Sequence, residues 1–278
     1  MRLTDEQFAA YQENGFVLLP EYFSKQEVEL LRAELPAVLN DPGPGRIVEK
    51  EGGAVRSVYG SHTTNDLFKR LARHPRIVEP AKQVLGTDVY VYQFKINVKA
   101  GFGGDVWQWH QDFPFWRNED GMTTEQVTNI AIFLDEVNEF NAPMFLIPGS
   151  HREGVIEVKA RAQAAAANGS NTYRASPGWL SNVTADLKYS LDKETVTRLV
   201  KEHGITSPKG PAGSALIFHC NLAHASSNNI SPFDRVLVFI TFNSTRNVPV
   251  AIENPRPDFL ASRNHSPVVP LLDNALLQ

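Results

Sequence analysis

One cysteine, Cys220, in 278 residues leaves no thiol for an internal disulfide and no set of thiolates for a zinc or iron–sulfur site. A metal bound here has to be held by imidazole and carboxylate. Neither sign of charge is in large excess: 27 Lys and Arg against 31 Asp and Glu give a formal net charge of −4. That balance offers no electrostatic grip on nucleic acid or an anionic membrane, and small neutral or zwitterionic ligands fit it better. Long apolar runs are missing as well. The opening MRLTDEQFAAYQ has no apolar core of a secretory signal, and no window approaches the length of a membrane span, so a cytoplasmic protein is the expectation. No internal repeat is visible.

What the chain does have is a change of period. Residues 1–87 read as a helical preface. Thr4 with Gln7, and Ser24 with Glu27, have capping-box spacing, Gly15 stops the first helix, and Leu30, Leu31, Leu35, Val38 and Leu39 repeat at helical intervals around a kink at Pro36. DPGPG at 41–45 is a tight loop, and a third helical stretch covers 65–85 with a break near Pro75. From residue 88 the period is two. VYVYQFKINVKA (89–100), QVTNIAIFLDEV (126–137), PMFLIPGS (143–150), GSALIFHCNLAH (213–224) and RVLVFITFN (235–243) are short, β-branched or aromatic, and bounded by turn residues. The fold expected is mainly β with peripheral helices: a double-stranded β-helix, or jelly roll, spanning about 88–250 within a single domain 1–278, with an irregular helical insertion over about 152–210.

The chemistry concentrates in WQWHQDFPFW, 107–116. His110 and Asp112 are two apart, so on a strand both side chains leave the same face and can share one ligand. One imidazole and one carboxylate make two-thirds of the facial triad that holds non-haem Fe(II) with three positions open. The third ligand must come from a distant His. In HCNLAHASSNNISPFDR, 219–235, a His is followed eleven residues later by an Arg at the start of an apolar strand, and a guanidinium fork suits the far carboxylate of a dicarboxylic co-substrate. His224 and Arg235 supply that geometry. Read blandly, His110 and Asp112 are an ordinary ion-paired couple and Arg235 a surface residue at a strand start.

WHQD, IPGSH at 147–151 and HASSNNISPFDR at 224–235 resemble the phytanoyl-CoA dioxygenase superfamily of Fe(II)- and 2-oxoglutarate-dependent oxygenases, whose core is the cupin-like jelly roll. Within it the chain is most similar to the bacterial branch that hydroxylates free L-proline at carbon 4, with ectoine hydroxylases further away. The stretches 49–62, 89–100, 104–122, 210–218, 229–235 and 255–271 carry this likeness, which spans most of the chain except 152–205. The resemblance implies iron ligands at His110, Asp112 and His224, and 2-oxoglutarate held by Arg235 with Ser226 and Asn97. It implies substrate contacts at Gln93 and Trp116, and Arg56 is a further candidate for a substrate carboxylate. His219 competes with His224 for the metal; on a regular strand it faces the other way, and a bulge would reverse the choice.

Other readings stand beside these. Gln93 and Asn97 can be satisfied barrel-interior amides, Arg56 can pair with an acid such as Glu51, and Trp107, Trp109, Phe113 and Phe115 read as core packing. The reaction implied is hydroxylation of a small free amino acid, L-proline or a cyclic analogue such as pipecolate, consuming O₂ and 2-oxoglutarate, with ascorbate as reductant. A carboxylate at Asp112 argues against halogenation, which in relatives goes with a small residue there. Alternatives are oxygenation of ectoine or of a natural-product scaffold, or a non-catalytic jelly-roll binding protein; a homo-oligomer is compatible with all of them.

Overall fold

The computed structural model describes residues 1–49, 53–158, 179–180, 183–184 and 187–278. The preface holds α1 (Asp5–Asn14), a short strand β1 (Phe16–Leu19), α2 (Lys25–Asn40), strands β2 (Arg46–Val48) and β3 (Val55–Tyr59), then α3 (Ser61–Thr64), α4 (Asp66–Leu71) and α5 (Pro75–Leu85). Both capping boxes form as spaced: Thr4 and Ser24 each accept from the backbone three residues on, and Gln7 and Glu27 reach back. α2 runs through Pro36 as one helix. Gly15 ends α1 in the left-handed region at φ 80°, and any side chain there would collide with His151 and Leu222. The strands β1, β2 and β3 were not expected; they are three to five residues long and too short to show a period.

The remaining elements are β4 (Val89–Lys99), β5 (Trp107–His110), α6 (Phe113–Asp120), β6 (Val127–Phe133), β7 (Met144–Leu146), a 3₁₀ turn at Ser150–Glu153, α7 (Lys193–His203), β8 (Ala215–His219), β9 (His224–Ser226) and β10 (Arg235–Ser244). They form two antiparallel sheets, one of seven strands in the order β1-β8-β6-β10-β4-β3-β2 and one of three in the order β5-β9-β7. This is the expected jelly roll. Among the described residues no helix is long and apolar enough to cross a membrane. The expected strand at 143–150 is cut to three residues by the turn that follows it. Part of the expected helical insertion, 159–178 included, lies outside the described residues; α7 falls within its described part.

The large sheet sorts its residues by parity. Phe94, Ile96 and Val98 of β4, Ile130 and Ile132 of β6, and Val236, Val238, Ile240 and Phe242 of β10 share one buried apolar cluster with Leu31, Phe68 and Ile77 of the preface helices. That face is closed by helices. The other face carries the alternate residues in register: Thr241 lies between Gln93 and Asn129, Phe239 between Lys95 and Ala131, Leu237 between Asn97 and Phe133, while Arg235 pairs with Lys99. A row of amides, cations and hydroxyls inside a sheet has to meet partners or a ligand, and this face looks across at the small sheet.

Candidate metal and dicarboxylate site

The strand β5 ends at His110, and Asp112 sits in helical conformation immediately before α6 rather than on the strand. Strand alternation is therefore not what brings the two together; a turn is. The Asp112 and Phe113 amides both donate to the Cys220 carbonyl, at 3.0 and 3.2 Å, which anchors that turn to the one joining β8 and β9. The same turn decides between the two histidines. GSALIFHCNLAH is not one strand: β8 stops at His219, the chain turns, and His224 begins β9 in the other sheet, directly opposite His110.

His110 Nε2 lies 3.5 Å and His224 Nε2 3.9 Å from Asp112 Oδ1. All three ligand atoms fall within 4.8 Å of one another. Each imidazole donates from Nδ1 to a carbonyl two residues before it, His110 to Gln108 at 2.6 Å and His224 to Leu222 at 2.9 Å, so both leave Nε2 with a free lone pair. Burial and the neighbouring His110 push His224 down to about 4, which keeps it uncharged at neutral pH. Burial alone would raise the Asp112 carboxyl; His224, His110 and Lys95 outweigh it and hold the group far below the usual carboxylate range. Its other oxygen, Oδ2, accepts from Asn129 Nδ2 at 2.8 Å, and Thr241 Oγ1 fixes that amide by donating to Asn129 Oδ1 at 2.7 Å. Two imidazole nitrogens and one oriented carboxylate oxygen are a donor set for an octahedral divalent ion with open positions. His219 is elsewhere, its ring 5.1 Å from that of His151 and its Nδ1 accepting from the Asn221 amide at 3.0 Å.

These groups border a cavity lined also by Gln93, Lys95, Asn97, Trp107, Trp116, Ser226, Arg235 and Phe239. Arg235 is 1% exposed, and burial pushes its guanidinium down to about 9. Its hydrogen bonds among the described residues go to neutral oxygens: the Asn141 carbonyl at 3.3 Å, the Ala142 carbonyl at 2.7 Å and Asn97 Oδ1 at 3.3 Å. A buried cation with no carboxylate of its own asks for an anion. Ser226 Oγ, buried in the same wall, has no hydrogen-bond partner among the described residues, which again fits a polar ligand at that end.

Trp107 lines the cavity as well as packing against the cluster that holds Phe113, Phe115 and Trp116. Its register explains this: Trp107 stands opposite Ser226 and His110 opposite His224, three residues on β5 against two on β9, and the bulge turns both aromatic rings to the same side. Trp109 points the other way, into a cluster with Ile147, Leu191 and Leu199, and Phe113 and Phe115 are buried as packing. Arg56 is buried outside the cavity lining. It pairs with Glu49 at 3.0 Å, Glu51 lying outside the described residues, and its Cζ sits 4.0 Å from the centre of the Trp107 ring. Gln93 donates from Nε2 to the Leu260 carbonyl at 2.6 Å, which turns its Oε1 the other way.

Lys95, Asn129, Thr241 and Phe239 escaped the reading of the sequence. Lys95 was in plain view, since alternation from Gln93 to Asn97 passes through it. Its ammonium lies 5.0 Å from the Trp107 ring centre and 4.6 Å from that of Phe239, and no ion pair or hydrogen bond holds it among the described residues. Burial, with Arg56 and Arg235, pushes it down to about 8 against the pull of Asp112. A second acidic group, Glu153, Glu202 and His203, is largely exposed, and Arg198 already pairs with both carboxylates.

Residues 11–237 match the family model described as phytanoyl-CoA dioxygenase. The chain is 40% identical to the L-proline trans-4-hydroxylase of Streptomyces griseoviridis over 94% of its own length and 93% of that protein. It is 36% identical to the ectoine dioxygenase of Bordetella bronchiseptica, over 99% of its length and 87% of that protein. Among solved structures, EctD from S. alaskensis with 2-oxoglutarate and 5-hydroxyectoine superposes with a TM-score of 0.80 at 30% identity, covering 97% of this chain and 87% of that one.

Proposed function

The chain belongs to the phytanoyl-CoA dioxygenase family, and from that membership we propose an Fe(II)- and 2-oxoglutarate-dependent hydroxylase of a small free amino acid. L-proline, hydroxylated at carbon 4 in the trans sense, is the substrate favoured, with pipecolate next. One observation carries this reading: a single cavity in which two imidazoles and a carboxylate face two cations, Lys95 and Arg235, neither ion-paired among the described residues.

His110 Nε2, Asp112 Oδ1 and His224 Nε2 would hold the iron. When bound, Fe(II) and 2-oxoglutarate supply the activation of O₂, the keto acid leaving as succinate and CO₂ while one oxygen atom reaches the substrate. The protein does the placing. Arg235 takes the distal carboxylate of 2-oxoglutarate, the Ser226 hydroxyl donates to it, and Asn97 keeps the guanidinium plane in position through Nη1. Lys95 takes the carboxylate of the amino acid, and Gln93 Oε1, left free by the Leu260 bond, accepts from its ammonium. Trp116, Trp107 and Phe239 exclude water and give a saturated ring a flat apolar wall. A zwitterion with one carboxylate and one ring ammonium meets both ends of this arrangement.

Oxygenation of ectoine is the second reading, favoured by the likeness to EctD holding 5-hydroxyectoine, and its carboxylate would use the same Lys95. The purified protein is supplied with Fe(II), ascorbate, 2-oxoglutarate, O₂ and, separately, L-proline, L-pipecolate, ectoine and a set of acyclic amino acids. The expected result is one added oxygen atom on proline by mass spectrometry, with succinate formed in equal amount. Turnover of ectoine alone would replace the proline reading, and no succinate with any of them would remove the function.

A further inference from the structure

Arg56 and Glu49 raise a question the catalytic reading does not answer. Both are in the folded interior, 1% and 9% exposed at their side chains, and neither lines the cavity. Such pairs are weak sources of stability, since apolar side chains of the same volume often serve the fold as well. Their hydrogen bonds converge on one place. Arg56 Nη1 donates to the Asp105 carbonyl at 3.3 Å and Nη2 to the Val106 carbonyl at 3.0 Å, while Glu49 Oε1 accepts from the Asp105 amide at 3.0 Å. Lys99 Nζ also donates to the Asp105 carbonyl, and to that of Ser227 at 3.0 Å. The three peptide units immediately before Trp107 are thus held by three charged side chains.

We infer that Arg56 is a positioning residue for the amino-acid substrate, acting through Trp107 on Lys95. The guanidinium lies over the indole at 4.0 Å, and the same ring is one of two that confine the Lys95 ammonium. A lysine has a flexible four-carbon stem, and nothing among the described residues bonds its head. Its place in the cavity is set by where Trp107 and Phe239 stand. Phe239 is fixed by strand pairing on both sides, whereas Trp107 starts a four-residue strand at a bulge and depends on the clamp before it. The like charge of Arg56 on the same ring repels the ammonium, so the two cations cannot both close on the indole. The inference rests on the assignment of Lys95 to the substrate carboxylate.

The test uses the anaerobic holoenzyme loaded with Fe(II) and 2-oxoglutarate, titrated calorimetrically with L-proline, and in parallel the holoenzyme titrated with 2-oxoglutarate. Turnover assays add the ratio of succinate to hydroxylated product. Arg56→Lys keeps the charge and loses the fork; it is expected to weaken proline binding about tenfold, leave 2-oxoglutarate affinity within about twofold, and raise succinate formed without product. Trp107→Phe, which needs no buried charge to be rehoused, is expected to weaken proline binding about threefold to tenfold on the same pattern. In a Lys95→Met background neither change should weaken it further. Unchanged proline affinity in folded Arg56→Lys and in Trp107→Phe, or an equal loss for both ligands, overturns the inference. If Lys95→Met itself leaves proline binding unmoved, the carboxylate assignment fails and takes the inference with it; if only Lys95→Met has an effect, the inference alone falls.

Discussion

Replacing Lys95 by Met removes one charge and little volume, and its consequence can be sized. A carboxylate about 4 Å from an ammonium gains about 4 kcal/mol at an effective dielectric of 20. Desolvation takes part of that back, so a charge-assisted contact of this kind is worth about 1.5–3 kcal/mol net. At 1.4 kcal/mol per decade the Michaelis constant for the amino acid rises about 10- to 150-fold, while that for 2-oxoglutarate, which Arg235 serves, stays put. The same residue predicts a pH profile. The folded pKa of Lys95 is lowered to about 8, the ammonium is the binding form, and it is present below that value and lost above it. A divalent cation beside Asp112 pushes the group further in the same direction, so kcat/KM for the amino acid falls as pH rises through about 8 or somewhat below. Lys95→Arg keeps its charge over that range and should flatten the limb. Initial rates against each ligand from pH 6 to 9 decide it. Equal rises for both Michaelis constants in Lys95→Met, or an alkaline limb that survives in Lys95→Arg, would refute the reasoning.

Asp112→Ala removes the anionic donor, so Fe(II) retention in equilibrium dialysis and all hydroxylation are expected to vanish; retained iron would undo the ligand set. For Arg235→Leu, loss of a buried guanidinium facing a carboxylate costs about 2–5 kcal/mol, and a 2-oxoglutarate requirement raised at least about 30-fold with Fe(II) still bound is the expected kinetic result. His219→Ala should leave iron binding intact, because its ring stands against His151 and not in the cavity; loss of iron there but not in His224→Ala would reverse the choice. Fe(II) at 100 times its dissociation constant should add about 2.7 kcal/mol, or roughly 5–10 °C in melting temperature, and calorimetry of Asp112→Ala should show no such rise.

The residues legible in the sequence were those whose role depends on type and spacing. His110 and Asp112 could be paired, and His224 could be linked to Arg235, without knowing any strand boundary. The reasons given were less sound than the pairing, since Asp112 reaches the site from a turn before α6 and not from strand alternation. His219 and His224 looked like neighbours on one strand because GSALIFHCNLAH is short, mostly apolar and without an internal Pro or Gly, and composition does not reveal that the chain changes sheets between them. Trp107 was read as core with the other aromatics of its stretch, and the bulge that turns it toward the cavity as well depends on β9 opposite, which residue type does not reveal. Arg56 was a candidate for the substrate carboxylate, with a nearby acid such as Glu51 as the other reading; the Glu49 carboxylate and the two carbonyls before Trp107 claim it.

Strand β4 shows why a cation's role here cannot be read from its own strand. Lys95 and Lys99 share a face, four residues apart, and both are pushed down by burial, Lys99 to about 6. Their cross-strand neighbours separate them. Lys99 lies opposite Arg235, and its head turns from that like charge to the Asp105 and Ser227 carbonyls, where it braces the approach to β5. Lys95 lies opposite Phe239, which offers a ring and no acceptor, so its head stays uncommitted beside the cavity. An arginine at 239 would therefore do more damage than its size implies. It would place a second cation beside Lys95, drive the ammonium off the position between the rings, and weaken amino-acid binding without touching a residue that holds the metal.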